Sequence, residues 1–308
     1  MSSVAQTAFK RVNLHVIERN WLSANQIVFH DSDEVGSVVD TGYVKHREMT
    51  LALVREALQG RHLTRILNTH LHADHCGGNA LLMATYGADL LLPSASFDAA
   101  KQWIPLADDF ASVAQLCERF EPTHALFPES LVSLGGSAWQ IHCAPGHDPN
   151  SVILFEPTER ILISADALWA NGFGIIFPEV DGQSGFPEQQ GILDHIEHLA
   201  PRVVIPGHGK VFTDVNGALE RARSRLAALR AEPIKHARHS LKALIQFLML
   251  ELESTTRQKL IDRLEHARLI RNISALIETP QPHAIEWAID SLISGGHLRE
   301  HEGHILLG

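Results

Sequence analysis

The chain has 308 residues, enough for one large or two modest domains with a substantial core. It carries 26 Lys and Arg against 36 Asp and Glu, a formal net charge of −10, with 45% hydrophobic residues. That balance excludes a disordered or fibrous chain and disfavours a polyanionic partner. Three cysteines, Cys76, Cys117 and Cys143, are too few for a disulfide framework, so a reducing cytoplasm is the expected location. Residues 1–6 lack the basic and apolar regions of a secretory leader. No run of about 18 apolar residues could span a bilayer, and the most apolar stretch, 244–250, reads as a buried helix face.

Strand-like runs at 13–17, 26–29 and 36–39 open the chain, the last ending in the turn Asp40-Thr41-Gly42. Apolar residues at three-to-four spacing predict a helix over 47–58. The short apolar strand 64–68 then runs into Thr69-His70-Leu71-His72-Ala73-Asp74-His75. Four metal-binding side chains fall within six residues there, and imidazole and carboxylate suit zinc, iron or manganese. Gly77-Gly78 and the run 79–83 turn this loop into a helix. Cys76 reads as a small buried residue, because a thiolate ligand would duplicate His75.

The same punctuation recurs downstream. A helix predicted over 109–120 precedes the alternating strand 138–143, which ends in Ala144-Pro145-Gly146-His147-Asp148. The strand 160–163 ends in Ser164-Ala165-Asp166-Ala167. A helix predicted over 189–199 leads to Val203-Val204 and then Ile205-Pro206-Gly207-His208-Gly209. Strand tips collected at one sheet edge would gather these distant His and Asp residues around one centre. His142, five residues before His147, belongs to its strand. The loop 168–178 is apolar and glycine-hinged, and beside such an edge Trp169, Phe173, Ile175 and Phe177 would wall an acyl chain.

Beyond Asp214 the pattern turns helical. Residues 215–230 read as one helix, and Pro233 breaks it and opens another over 236–252. Thr255-Thr256 would cap a helix over 257–267, and a last helix over 283–293 ends at Gly295-Gly296. The tail 297–307 reads as a hairpin turning near Gly303. Residues 1–229 are therefore read as a catalytic domain and 230–308 as a mostly helical module. Ten Lys and Arg balance ten Asp and Glu from Arg230 onward, so the net negative charge lies upstream. The final helix has two acids and no Lys or Arg, whereas phosphate contacts need cations. The module thus reads as a packing or homodimer-forming unit, with no nucleic-acid partner. His236 and His239 lie on the helix expected nearest the site, and His239 is taken as a pocket residue.

Together these motifs resemble the metallo-β-lactamase superfamily, in particular its glyoxalase II-like hydrolases, over roughly residues 12–215. The resemblance implies an α/β fold, an αββα sandwich, and the C-terminal helices and hairpin look like the winged-helix module of some members. It implies that His70, His72 and His147 hold one metal and Asp74, His75 and His208 a second, with Asp166 bridging both. Asp40 would support a ligand imidazole from behind. The implied cofactor is two divalent metal ions, zinc first, with iron or manganese as alternatives.

Departures from the family narrow the activity. The true β-lactamases place Cys where this chain has Asp166, and lactonases place Tyr where it has Trp169. Glyoxalase II follows its Gly-x-Gly turn with a basic residue that helps hold glutathione. Here Ile175 follows Gly172-Phe173-Gly174. The expectation is a metal-dependent hydrolase in which a metal-held hydroxide, oriented by Asp74, attacks a thioester or ester with an apolar acyl part. Two alternatives stay open: a ribonuclease or phosphodiesterase, and a mononuclear iron enzyme resembling the persulfide dioxygenases. The expected partner is a small-molecule substrate, without nucleic acid or membrane.

Overall fold

Side chains along the central strands alternate between two apolar layers, and this alternation sets the architecture of the computed structural model, which describes residues 2–308. One sheet takes the order β1 (Leu14–Ile17), β2 (Gln26–His30), β3 (Val35–Val39), β4 (His62–Leu67), β5 (Asp89–Pro93), β6 (His124–Leu126). The other comprises β7 (Leu131–Leu134), β8 (Ser137–Cys143), β9 (Val152–Glu156), β10 (Ile161–Ala165) and β11 (Val203–Pro206), running from β11 at one edge to β7 at the other.

Ile27, Phe29, Val39 and Leu67 of the first sheet meet Trp139, Leu154, Ile161 and Ile163 of the second in a shared inner core. Their neighbours Val28, Val38 and Ile66 point outward, under Val54 and Leu58 of the helix Arg47–Leu58 and Leu82 of the helix Asn79–Tyr86. On the far side Ile153, Phe155 and Leu162 pack under Leu193 and Ile196 of the helix Phe186–Leu199 and Leu219 of the helix Val215–Ala231. The result is helix, sheet, sheet, helix.

Strand direction then places the site. β3 and β4 are parallel, as are β10 and β11, and β8 is antiparallel to β9, which is antiparallel to β10. Within each sheet these strands end on one edge, where the His and Asp residues follow. The two edges are tied together by Val152 N–H donating to the Thr69 carbonyl at 2.9 Å and Asn25 N–H to the Gly207 carbonyl at 2.7 Å.

The C-terminal part has a separate apolar core. It joins Leu241, Leu244, Ile245 and Leu248 of the helix Pro233–Leu252 to Leu260 and Leu264, Ile270 and Ile273, and Ile285 and Ile289. A small sheet closes it, with β14 (His304–Leu307) between β12 (Ser254–Thr256) and β13 (Leu298–His301). The hairpin turns at Glu302 and Gly303, both at positive φ, as the tail's pattern predicted. The Thr256 side chain caps the helix Arg257–Glu265, accepting from Lys259 N–H at 3.3 Å.

Two helix expectations need correction. The helix expected over 109–120 is Ile104–Ser112, because Ala114 takes a left-handed φ of 58° and the Leu116 N–H is captured by the Tyr43 hydroxyl at 3.1 Å. The helix expected over 257–267 ends at Glu265, and a further amphipathic helix, Arg268–Leu276, follows it. No helix among the described residues is long and apolar enough to cross a membrane.

Candidate metal centre

All seven expected ligands meet at the shared sheet edge. His70 and His72 follow β4, Asp74 and His75 lie on the single turn Ala73–Cys76, His147 precedes β9, and Asp166 and His208 follow β10 and β11. Three overlapping groups have their ligand atoms within 4.8 Å of one another: His70, His72 and His147; His70, His75 and Asp166; Asp74, His75 and His208. Asp166 lies between them, with Oδ2 3.4 Å from His147 Nε2 and 3.8 Å from His208 Nε2, and Oδ1 3.5 Å from His75 Nε2.

Hydrogen bonds behind the imidazoles fix which nitrogens point inward. Asp40, at φ 59°, accepts from Thr69 N–H at 2.9 Å, from the Thr69 hydroxyl at 2.9 Å and from His75 Nδ1 at 2.7 Å. Having donated its one hydrogen to Asp40, the Thr69 hydroxyl accepts from His70 Nδ1 at 3.1 Å. His147 Nδ1 donates to the Ile175 carbonyl at 2.5 Å. Nε2 of His70 and His147 is therefore left as a bare lone pair in each neutral ring, and Nε2 of His75 is the nitrogen turned toward Asp74 and Asp166.

These lone pairs face one another. His72 Nδ1 stands 3.0 Å from His70 Nε2 and 2.7 Å from His147 Nε2, yet it could donate to only one of them. His75 Nε2 has no hydrogen-bond partner among the described residues, although it is buried beside Asp74 and Asp166. Buried lone pairs and carboxylates converging without donors are unfavourable unless cations sit between them. The arrangement fits a pair of divalent cations.

The electrostatics agree. Burial, then the neighbouring imidazoles, hold His70 well below its ordinary value, and burial holds His72 and His147 at about 4, so these rings are neutral near pH 7, the form in which imidazole binds a metal. Burial alone would lower His75 too, yet Asp40, Asp166 and Asp74 together hold it well above its usual range. Burial would raise Asp166, but His208, His75 and His147 keep it well below the usual carboxylate range. Three carboxylates around one imidazole mark a cup that demands positive charge.

The expected pocket residues divide. Trp169 is half-buried, and its Nε1 donates to Asp166 Oδ1 at 3.1 Å. The half-buried Phe177 ring lies 4.9 Å from His72 and 5.4 Å from His147. Ile175 is half-buried, and its carbonyl serves His147. Phe173 corrects the expectation: fully buried, it packs with Leu168, Ile176 and Leu226 beneath the loop. On either side of it the backbone comes close to other residues: a Cβ at Gly172 would meet Arg225, and one at Gly174 would meet His147. His239 is exposed and bonds Arg225 at 3.1 Å. His142 is apart from the centre, beside His195. Cys76 is buried, with Sγ 3.9 Å from Cys117 Sγ.

Two residues at the site had escaped sequence reasoning. Trp21 is 59% exposed, yet its ring stacks on His208 at 5.3 Å with an interplanar angle of 11° and meets Trp169 edge-on at 5.2 Å. A lone Trp in a loop far from every ligand motif gives no sequence signal. Asp148 Oδ2 lies 3.6 Å from His72 Nε2, and burial pushes its carboxyl up. Its position next to His147 was the available clue.

The model of the metallo-beta-lactamase superfamily matches residues 19–208. A hydroxyacylglutathione hydrolase of Anaeromyxobacter dehalogenans is 33% identical over 131 residues, 42% of this chain and only 43% of that relative's length. A hydroxyacylglutathione hydrolase of a Polaromonas species is 25% identical over 279 residues, covering 88% of this chain and 95% of the relative. In fold, the crystal structure of a metallo-beta-lactamase family protein from Thermus thermophilus aligns with a TM-score of 0.58 at 17% identity, over 96% of this chain and 99% of that one.

Proposed function

Because the chain belongs to the metallo-beta-lactamase superfamily, we propose that it is a metal-dependent hydrolase of thioesters or esters with an apolar acyl part. The observation that carries this is the inward convergence of bare imidazole nitrogens with Asp74 and Asp166 at one open sheet edge. His70, His72 and His147 would hold one ion and Asp74, His75 and His208 the other, with Asp166 between them. Zinc is the metal proposed, since tetrahedral imidazole and carboxylate sets suit it. Such ions activate water and stabilise the charge that develops on a carbonyl oxygen.

The protein's own residues do the positioning. Asp40 fixes the His75 tautomer, and the Ile175 carbonyl fixes that of His147. Trp169 Nε1–H holds one oxygen of Asp166, so that carboxylate keeps its orientation. Asp74 Oδ2, 2.9 Å from His208 Nε2, is the residue that would orient the attacking water and accept its proton. Trp21, Trp169 and Phe177 give the mouth apolar walls suited to an acyl chain. Ile175, where the family's glutathione enzymes carry a basic residue, supports a substrate other than a glutathione conjugate bound in the familiar way.

The test is a panel of thioesters, esters, lactones and phosphodiesters offered to zinc-reconstituted protein, with metal content measured in parallel. Release of thiol or alcohol that stops on chelation and in Asp74→Asn is expected. Phosphodiester cleavage alone would overturn the reading. So would oxygen uptake by protein holding about one iron per chain.

A further inference from the structure

A basic cluster beside the loop 168–178 has no part in the chemistry above. The Arg225 guanidinium lies over the Phe173 ring, 5.1 Å from its centroid, and donates from Nη2 to His239 Nε2 at 3.1 Å. It fills the space a side chain at Gly172 would need, since a Cβ there would stand 2.7 Å from Arg225 Nη1. His236, three residues before His239 on the same helix, is buried, and its Nε2 has no hydrogen-bond partner among the described residues. Lys242 follows His239 by three residues and shares its face.

Among the described residues no carboxylate stands within ion-pair distance of Arg225, His236, His239 or Lys242. The charged groups acting on His239 are Arg225 and Lys242, and those acting on His236 are His239 and Arg225; all are basic. A half-buried guanidinium left without an anion is unfavourable, and it is unexpected in a chain of net charge −10. Its fork of donors, one engaged by His239, matches carboxylate and phosphate oxygens.

The cluster is also within reach of the metal centre. A Cβ on Gly174 would stand 2.3 Å from His147 Nδ1, and Gly172 is two residues away. Two peptide units span at most about 7 Å, so the guanidinium is within about 15 Å of the His147 imidazole. A substrate of modest length could touch both.

We propose that Arg225, with Lys242, His236 and His239, receives an oxyanionic group, carboxylate or phosphate, that the substrate carries at a distance from its reacting carbonyl. The acyl part then lies between the aromatic walls, and the anion belongs to the leaving thiol or alcohol. This deepens the hydrolase reading and rests on it only for the word substrate; anion binding is separable from turnover.

Calorimetric titration of the zinc-reconstituted full chain with inorganic phosphate and with glutarate reads the site directly. At least one should bind saturably and lose about tenfold in affinity in Arg225→Met, with partial recovery in Arg225→Lys. Phosphate binding alone assigns a phosphate, and glutarate binding alone a carboxylate. No binding by the wild type, or no loss in Arg225→Met, overturns the proposal. Should Arg225→Met fail to fold, Lys242→Gln, at a half-buried position, replaces it, with a smaller loss expected and no loss counting against the site. A kinetic arm compares one acyl group on N-acetylcysteamine, which is neutral, on glutathione and on coenzyme A. The ratio of kcat/KM for the preferred charged thioester to that for the neutral one should fall about tenfold in Arg225→Met. Equal losses on both would mark a structural role and overturn the assignment. Anion binding without any thioester turnover would sink the hydrolase reading and leave the anion site standing.

Discussion

The Phe177 ring meets His72 edge-on, 4.9 Å between ring centroids, while it also packs against the core of the C-terminal helices. One side chain thus joins the metal centre to a part of the chain that supplies no ligand. The short helix Phe177–Val180 is tied a second time at its C-terminal end, by Asp181, which accepts from Arg268 Nη1 at 2.5 Å and Asn272 Nδ2 at 2.6 Å. The C-terminal helices therefore hold one wall of the site in place.

Phe177→Ala should leave both metals bound but remove that wall. We expect a loss of about 2 kcal/mol in stability for this half-buried ring and a rise in KM larger than any change in kcat. Metal analysis beside steady-state kinetics checks it, and an unchanged KM on apolar thioesters would count against the wall.

Asp40 belongs to none of the three metal-holding groups but accepts from both His75 and Thr69. Asp40→Asn keeps the shape and loses the carboxylate charge, so metal affinity should fall roughly 10- to 100-fold. Competition with a chromophoric chelator measures it; wild-type affinity would show that the buried acid is only structural.

Asp166→Ala should strip or disorder at least one ion, because the carboxylate lies between both ligand groups. His142→Ala should retain two, since that ring packs beside His195. Two metals and normal activity in Asp166→Ala would contradict the ligand assignment.

His236 predicts an acid limb in stability. Burial, and then His239 and Arg225, hold its imidazole at about 4, below the ~6.5 of an unfolded chain. The unfolded state binds the proton more tightly, so this stability is fully present above about pH 6.5 and is lost as pH falls towards 4. The full effect is on the order of 3 kcal/mol. Urea unfolding at pH 7.5 and 5 should show a smaller pH difference in His236→Asn than in the wild type; equal differences would remove His236 from the account.

Truncation after Arg230 should damage solubility or substrate binding. It would uncover Val180 and Phe177, which pack in the C-terminal core, and Tyr43, whose ring meets Phe247 at 5.2 Å and whose hydroxyl donates to Glu251. A soluble truncated chain fully active on small substrates would show that the module only accompanies the site.

The candidate ligand set was legible in the sequence because each of its residues closely follows a strand-like run and lies near a small residue in a short turn. Such signals are local: a strand tip, a Gly and an imidazole within five residues, as in Ile205-Pro206-Gly207-His208-Gly209. The helix Arg47–Leu58 was legible to its last residue for the same reason, its apolar period being complete within the segment. The end of the helix Ile104–Ser112 was not, because the tyrosine hydroxyl that captures Leu116 N–H lies 73 residues away. Which lone pairs turn inward, and that they confront one another, depends on hydrogen bonds across the fold from Asp40 and Ile175. Trp21 reaches His208 only because β1 and β2 bring its loop to the ligand edge, and Arg225 meets Phe173 only because a helix crosses the loop after Asp166. The chemistry of the candidate metal cup could be read from the chain alone, since it is written in residue type and short spacing. The surfaces around it were decided by tertiary structure, since contacts between distant segments leave no periodic trace in either one.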